Sequence, residues 1–301
     1  MDAQAARFAI FGDVHGHLRL VLALCQQWQL AHGVHLDGVL LCGDLGFFPD
    51  LSRADKATRR YIERDPEEAG FALYFAMPQP LSLDPLVQRT LLGNPADLGT
   101  IRCPIVFCHG NHEDFAMLEQ ATRGSALAPV DAFGRILYLR SGNVLELGPV
   151  RIGALGGGPE LSDQDNEVVG RWVSSLAAAC LVEKHFDVLL SHAAPRGIGG
   201  ESDLLGSSLL RQVVELCQPV YHVFGHHRER IAPARVGRTQ CVWFNRVQFQ
   251  RDQHRQHTGP PEPGCMGLLS WIGPDCHELV VLDEPWFRRM TGTHWRYYTV
   301  V

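Results

Sequence analysis

The sequence predicts an α/β chain of buried strands and intervening helices, and three observations predict it. Five short apolar runs read as buried strands. Each run stops at a polar residue of a kind that can bind a ligand. Helical stretches lie between the later runs, which implies sheets covered on both faces. In such folds ligands bind at the carboxyl ends of the strands.

The first run is Phe8-Ala9-Ile10-Phe11, which ends at Gly12-Asp13. From His17 to Gln29 apolar residues recur at helical spacing (Leu18, Val21, Leu22, Leu24, Cys25, Trp28), so a helix follows. Val39-Leu40-Leu41-Cys42 is the second strand and ends at Gly43-Asp44. An insert then runs from Phe48 to Thr100, with a charged stretch at Arg53–Glu68 and a proline-containing one at Met77–Pro85. We expect it to be mostly helical and to cap the site. Ile105-Val106-Phe107-Cys108 is the third strand and ends at Gly110-Asn111-His112.

Ile136 to Leu155 predicts two or three strands with turns at Gly142 and Gly148. Gly156-Gly157-Gly158-Pro159 reads as a tight turn, since it lacks the Lys and Ser/Thr of a phosphate-binding loop. Helices are expected at roughly Asp165–Glu183 and Ser207–Cys217. Val188-Leu189-Leu190 ends at Ser191-His192, and Tyr221-His222-Val223-Phe224 ends at Gly225-His226. The polar stretch Gln248 to Pro263 is expected to be an exposed loop. Leu268–Ile272 and Leu279–Leu282 are expected as two edge strands, and Trp286 to Tyr298 as an aromatic, basic tail. The organisation expected is one domain over residues 1–301, with the insert at about 48–100 and a C-terminal extension from about 246.

The net charge is -6 and the pI near 6.2, which argues against a surface that is basic throughout and tracks a nucleic-acid backbone. A local basic patch stays open. The nine cysteines are an odd number and form no Cys-x-x-Cys pair. Several sit in apolar runs, as Cys42 and Cys108 do, and are expected to be reduced, buried hydrophobes. No apolar stretch of about 18 residues occurs, and Met1 to Phe8 holds no apolar leader. The expectation is therefore a cytoplasmic protein with no membrane span.

The residues at the strand ends suit divalent cations, which take carboxylate oxygens, amide oxygens and imidazole nitrogens. Asp13 and His15 leave the pleat together and can turn toward one ion. Asp44 has two oxygens and can bridge two ions. Asn111 offers a neutral oxygen, and His192 and His226 complete a second ion. Two ions about 3.5–4 Å apart can supply a hydroxide at neutral pH and clamp both sides of an in-line displacement at phosphorus. His112 lies beside a ligand and is better placed as a general acid for the leaving oxygen. A single Asp or His after a strand is usually structural, and His222, inside its apolar run, is read that way. Five such motifs in one order are a different matter.

These residues resemble the calcineurin-like metallophosphoesterase superfamily, whose pattern is Asp-x-His, Gly-Asp, Gly-Asn-His-Asp/Glu, His, then Gly-His-x-His. The match spans Asp13 to His226. The resemblance implies two mixed β-sheets packed face to face with helices outside. It also implies a first ion on Asp13, His15 and Asp44, a second on Asp44, Asn111, His192 and His226, and His112 as the catalytic histidine. Manganese is the expected metal, with iron or zinc as the family's other choices.

The last motif departs from the pattern, because Gly225-His226-His227-Arg228 puts arginine where the family has its last first-ion ligand. Three outcomes follow. The first ion keeps three protein ligands, or His227 supplies the missing one, or Arg228 stands in for an ion and holds the phosphate directly. The third outcome would leave a single ion. Arg196 is a weaker candidate for phosphate contact. The second motif, Gly43-Asp44-Leu45-Gly46-Phe47-Phe48, lacks the acidic residue and arginine of the protein Ser/Thr phosphatase branch.

The function expected is hydrolysis of phosphoric esters, with a small molecule or phosphoprotein as substrate. A nuclease or nucleotide phosphodiesterase is the alternative within the superfamily. Arg246, Arg251, Arg255, Arg288, Arg289, Trp295 and Arg296 would suit a nucleic-acid strand, against the net acidity. A non-catalytic scaffold of the same fold is the alternative outside enzymes, and retention of His112 argues against it.

Overall fold

The computed structural model describes residues 5–76, 83–160, 170–199 and 202–297. In chain order the strands are β1 (Ala6–Phe11), β2 (Gly38–Leu41), β3 (Ile105–Phe107), β4 (Leu127–Pro129), β5 (Ile136–Leu139), β6 (Asn143–Leu147), β7 (Val150–Leu155), β8 (Val188–Ser191), β9 (Tyr221–Phe224), β10 (Ala234–Val236), β11 (Thr239–Trp243), β12 (Phe249–Arg251), β13 (His257–Pro261), β14 (Met266–Gly273) and β15 (Cys276–Val281). The helices are α1 (Leu18–His32), α2 (Lys56–Ile62), α3 (Gly70–Tyr74), α4 (Pro85–Leu92), α5 (Phe115–Thr122), α6 (Ser175–Val182), α7 (Ser202–Leu205), α8 (Ser208–Cys217) and α9 (Pro285–Arg289).

Two mixed sheets carry the fold. One has the order β15-β14-β1-β2-β3-β5-β4 and the other β10-β11-β9-β8-β7-β6. Within them β1, β2 and β3 run parallel, as do β7, β8 and β9. Alternate residues of each strand point to opposite faces, and the cores follow that period. Phe8, Ile10, Leu40 and Val106 meet Ile152, Val188, Leu190 and Val223 between the sheets. Ala9, Phe11, Val39, Leu41 and Phe107 face the other way, against Leu18, Val21 and Leu22 of α1. Leu155, Leu189 and Phe224 face Ala178 and Leu181 of α6 and Leu210, Val213 and Val214 of α8. The result is a β-sandwich with helices outside both sheets.

Local chemistry sets the helix starts. Asp55, Asp84, Asp114, Ser174 and Ser207 each accept a backbone N–H in the first turn of the helix that follows. α1 begins after His17 without a side-chain cap and ends at Gly33 in the left-handed region.

Several sequence expectations are corrected. β14 is no edge strand, because it pairs with β1 on one side and β15 on the other. Its Leu269 and Trp271 fill the space between the sheets, so it is covered like its neighbours. Gln248–Pro263 is not a bare loop but the hairpin β12–β13, with Phe249 buried against Trp295. Asp252 closes its turn by accepting the N–H groups of His254 and Gln256. The described part of Asp165–Glu183 becomes helical only at Ser175, where Ser174 caps it; residues 161–169 lie outside the described residues. The tail forms the short helix α9, and Trp286, Phe287 and Trp295 are buried on the α1 side of the first sheet.

The glycine turns at Gly142 and Gly148 stand as expected, and the chain passes from the first sheet to the second between β5 and β6. Among the described residues the insert holds three helices and two 3-10 turns, Leu51–Arg53 and Pro66–Ala69. Residues 77–82 of its proline-containing stretch lie outside the described residues. Six cysteines are buried, Cys180 and Cys276 are exposed, and all nine are free thiols. Among the described residues no helix is long and apolar enough to cross a membrane.

Candidate metal centre

The carboxyl ends of β1, β2 and β3 in one sheet, and of β8 and β9 in the other, deliver five loops to one edge of the sandwich. They bring Asp13, His15, Asp44, Asn111, His112, His192 and His226 together. The carboxylates of Asp13 and Asp44 and the ring of His192 offer ligand atoms within 4.8 Å of one another.

The two carboxylates are held in matching ways. Oδ1 of Asp44 accepts the His112 backbone N–H at 2.8 Å, and Oδ1 of Asp13 accepts that of His226 at 2.7 Å. The glycine before each of those motifs permits the approach, for a Cβ on Gly110 would strike Asp44 Oδ1 and one on Gly225 would strike Asp13 Oδ1. His15, Asp44 and His226 have positive φ (42°, 38° and 64°), and they are half of the six non-glycine residues so placed among the described residues. Each such residue costs of order 1–3 kcal/mol and persists only where its surroundings hold it. The bonds just named hold Asp44 and His226, and the His15 N–H donates to the Asp44 carbonyl at 2.6 Å.

Oδ2 of Asp44 lies 3.4 Å from His15 Nε2 and 3.4 Å from His192 Nε2, between the two halves of the site. His192 Nδ1 donates to the Cys42 carbonyl at 3.0 Å, which leaves a lone pair on Nε2. That nitrogen faces Asn111 Oδ1 at 2.9 Å and His226 Nδ1 at 2.9 Å. A lone pair meeting an amide oxygen and a second imidazole, with a carboxylate oxygen nearby, is a donor set that suits a divalent cation. Asp44, Asn111, His192 and His226 therefore fit one divalent ion. Burial works against the charge on Asp44, but His192, His15 and His112 outweigh it and hold the carboxyl below its usual range. Burial raises Asp13 instead, with His192 opposing.

The other half is built differently. Asp13 Oδ2 stands 4.0 Å from His15 Nε2. The Arg246 guanidinium points Nη2 at that same imidazole nitrogen, at 3.2 Å. Glu68, from the Pro66–Ala69 turn of the insert, lies 3.7 Å from His15 Nδ1. Burial, and after it the Arg246 charge, push His15 well below the usual histidine range. Burial pushes Glu68 up to about 7.

His112 is gripped from the insert. Its Nδ1 donates to Asp55 Oδ2 at 2.7 Å, at the N-cap of α2. Burial would lower this histidine, but the Asp55 hydrogen bond and the charges of Asp44 and Asp55 raise it to about 9. Asp55 falls to about 2, as the bonds from His112 and Thr58 overcome its burial. Glu113, the last residue of the third motif, accepts the N–H groups of Leu45 at 2.7 Å and Phe47 at 2.6 Å, and so braces the loop that carries Asp44.

The remaining candidates lie elsewhere. His227 Nε2 accepts the Ala194 N–H at 3.1 Å, and its ring is buried beside Phe224. Arg228, the next residue, is exposed, and Arg196 is exposed on a loop braced by its backbone to Ser207. His222 is fully buried and bonds Ser191 Oγ at 2.6 Å, a core histidine as read from sequence. Of the basic and aromatic residues near the C-terminus, Trp295 is buried, Arg288 pairs with Asp283 and Arg296 with Glu67.

Sequence reasoning passed over Asp55 and Glu68 altogether and did not place Arg246 at the site. Asp55 carried an N-cap signal, but nothing local tied it to His112, 57 residues away.

A mixed β-sandwich with carboxylate, amide and imidazole donors gathered at its strand ends defines a class of metal-dependent phosphoesterases. The family model of the calcineurin-like phosphoesterases matches residues 6–228, and the chain belongs to that family. No curated protein matches it. One solved crystal structure aligns at 13% identity with a TM-score of 0.51, over 93% of this chain and all of the other. TT1561 of Thermus thermophilus also aligns at 13% identity, with the same coverages and a TM-score of 0.48. GAP50, described as the anchor in the inner membrane complex of Plasmodium, aligns at 10% identity and 0.46, over 93% of this chain and 90% of its own.

Proposed function

We propose that this protein hydrolyses phosphoric esters with a divalent metal, manganese being the first choice and iron or zinc the others, and that His112 donates the proton to the leaving oxygen. The observation that carries this reading is the convergence of Asp44 Oδ2, Asn111 Oδ1, His192 Nε2 and His226 Nδ1, within reach of a histidine held by a carboxylate. A divalent ion in that nest would supply Lewis acidity toward the phosphoryl group and a hydroxide at neutral pH.

The protein's own groups do the rest. Asp55 holds the His112 Nδ1–H, which aims Nε2 and keeps its proton at neutral pH. A protonated Nε2 can pass that proton to the departing alkoxide. Asp44 sets the charge of the nest, and Asn111 adds a ligand without adding to it. A small phosphoester or a phosphoprotein is the substrate class we favour. Arg288 and Arg296 pair with acids and Trp295 is buried, while Arg251, Arg255 and Arg289 stay exposed; the net charge of -6 is what disfavours a nucleic-acid strand.

The test is turnover of p-nitrophenyl phosphate and bis-p-nitrophenyl phosphate by purified protein supplied with manganese. Measurable hydrolysis of either supports the reading, and the ratio of the two assigns monoester or diester preference. No turnover with manganese, iron or zinc would overturn it and favour the scaffold alternative.

A further inference from the structure

We infer that Arg246 occupies the place of the first ion, so that this site works with one metal ion and one guanidinium, and that the guanidinium holds the substrate's phosphoryl oxygens. The inference rests on the phosphoesterase reading above for its substrate class, but not for its metal count.

The loop that carries Arg246 is locked to the first motif. Val247 N–H donates to the Asp13 carbonyl at 2.7 Å. Gly12 is pressed so closely onto the carbonyls of Phe244 and Asn245 that any Cβ there would collide with them. Asn245 turns its side chain back to accept the Arg246 N–H at 2.9 Å, and its own N–H donates to the Gly264 carbonyl at 2.9 Å. Arg246 is thus delivered to the site by the backbone.

Its guanidinium then meets the atom that a first ion would need. A guanidinium only donates, so His15 Nε2 accepts from Arg246 and its lone pair is engaged. The guanidinium carbon stands 5.8 Å from the ring centroid of Tyr61, a further contact from the insert. The ligands that could have competed are absent from this half. Arg228 replaces the last family histidine and faces solvent. His227 cannot shift in without giving up its bond from Ala194. Asp13 has one oxygen committed to the His226 N–H. What remains for a first ion is an engaged imidazole, one free Asp13 oxygen and a shared Asp44 oxygen, beside a fixed positive charge. These residues do not fit a second divalent ion.

A planar, permanently charged fork is a natural partner for two phosphoryl oxygens, where an ion would otherwise sit. The role considered for Arg228 on sequence grounds passes to a residue 18 positions later in the chain.

The test counts ions and then measures anion binding. Manganese is loaded by equilibrium dialysis and counted per chain by mass spectrometry. One ion per wild-type chain supports the inference; two ions, or none, overturns it. Inorganic phosphate is then titrated calorimetrically into the manganese-loaded protein. In Arg246→Ala the affinity is expected to fall ~10–100-fold, the loss of a charge-assisted bidentate contact, while at least one ion is retained. Unchanged phosphate affinity would remove the phosphoryl-holding role. Arg246→Lys keeps the charge without the fork and should fall between, and it serves as the readout if thermal melting shows that Arg246→Ala is unfolded. A protein that binds one ion and phosphate through Arg246 but hydrolyses no ester would sink the proposed function and leave this inference standing. Turnover with two bound ions would do the reverse.

Discussion

Asp55 Oδ2 holds the Nδ1 of His112 at 2.7 Å, so a carboxylate from the insert fixes the ring that we assign as proton donor. Removing the ring and removing its holder should differ. His112→Ala is expected to lower kcat ~10²–10⁴-fold, with metal content unchanged, since His112 contributes only its backbone N–H to Asp44. Asp55→Asn should cost less, roughly tenfold, because the imidazole remains in place. Steady-state kinetics with metal analysis on both variants checks the order, and a loss of metal in His112→Ala would assign that ring to the ion instead.

The same pair predicts a pH dependence. His112 is raised to about 9 from its ordinary 6.5, so it stays protonated through neutral pH and the rate should decline as pH rises past about 9. In Asp55→Asn that alkaline limb should move to lower pH. For stability the signs run in opposite directions. The raised His112 contributes fully below pH 6.5, and this is lost as pH rises toward 9. The lowered Asp55 contributes fully above its ordinary 3.8, and this is lost as pH falls toward 2. A pH–rate profile whose alkaline limb is the same in wild type and Asp55→Asn would dissociate the carboxylate from the proton donor.

Gly110 offers a test of the nest that changes none of the candidate ligand residues. A Cβ there would stand 2.0 Å from Asp44 Oδ1, so alanine must displace the carboxylate. Gly110→Ala should weaken manganese binding at least about tenfold, as loss of a well-placed outer-shell group does in other sites. Gly273 faces open space at an ordinary φ, so Gly273→Ala is the silent control. Equal metal affinity in the two variants would mean that Asp44 is not a ligand.

Glu113 should matter for folding. It is buried and satisfies the N–H groups of Leu45 and Phe47. Unsatisfied buried donors cost roughly 1–3 kcal/mol each, so Glu113→Ala should destabilise by about 3 kcal/mol and Glu113→Gln by less. Urea denaturation midpoints measure both, and an unchanged midpoint in Glu113→Ala would show that the loop holds its shape without this brace.

Metal removal should lower the melting temperature. A ligand that binds only the folded state at a hundred times its dissociation constant adds about 2.7 kcal/mol. Chelation in wild type should remove that increment, and in His192→Ala it should remove little, because the ring that touches Asn111, His226 and Asp44 is gone. Equal shifts in the two proteins would place the stabilising ion elsewhere.

The strands and the ligand types were legible in the sequence because both are local. An apolar run such as Ile105–Phe107 is buried wherever it sits in a sheet, and the polar residue that ends it is left at the rim. Asp13, Asp44, Asn111, His192 and His226 could therefore be named from the order of their motifs. The position of β14 could not, since an apolar run reads the same whether one neighbour pairs with it or two. The tail and hairpin escaped for a related reason: Phe249 and Trp295 pack against each other and into the α1-side core, contacts that no local pattern shows.

What tertiary structure alone decided is which charges stand against the strand-end residues. Asp55 reaches His112 across 57 residues, Glu68 reaches His15 from a 3-10 turn, and Arg246 reaches His15 across 231. No periodicity or spacing encodes such pairings, because they are set by how the insert and the loop after β11 pack on the strand ends. The sequence by itself therefore determined which strand-end residues are the candidate ligands, and the departure at Arg228. The packing of Val247 on Asp13 decided which arginine faces the first-ion half of the pattern, since backbone contact fixes where a side chain can reach.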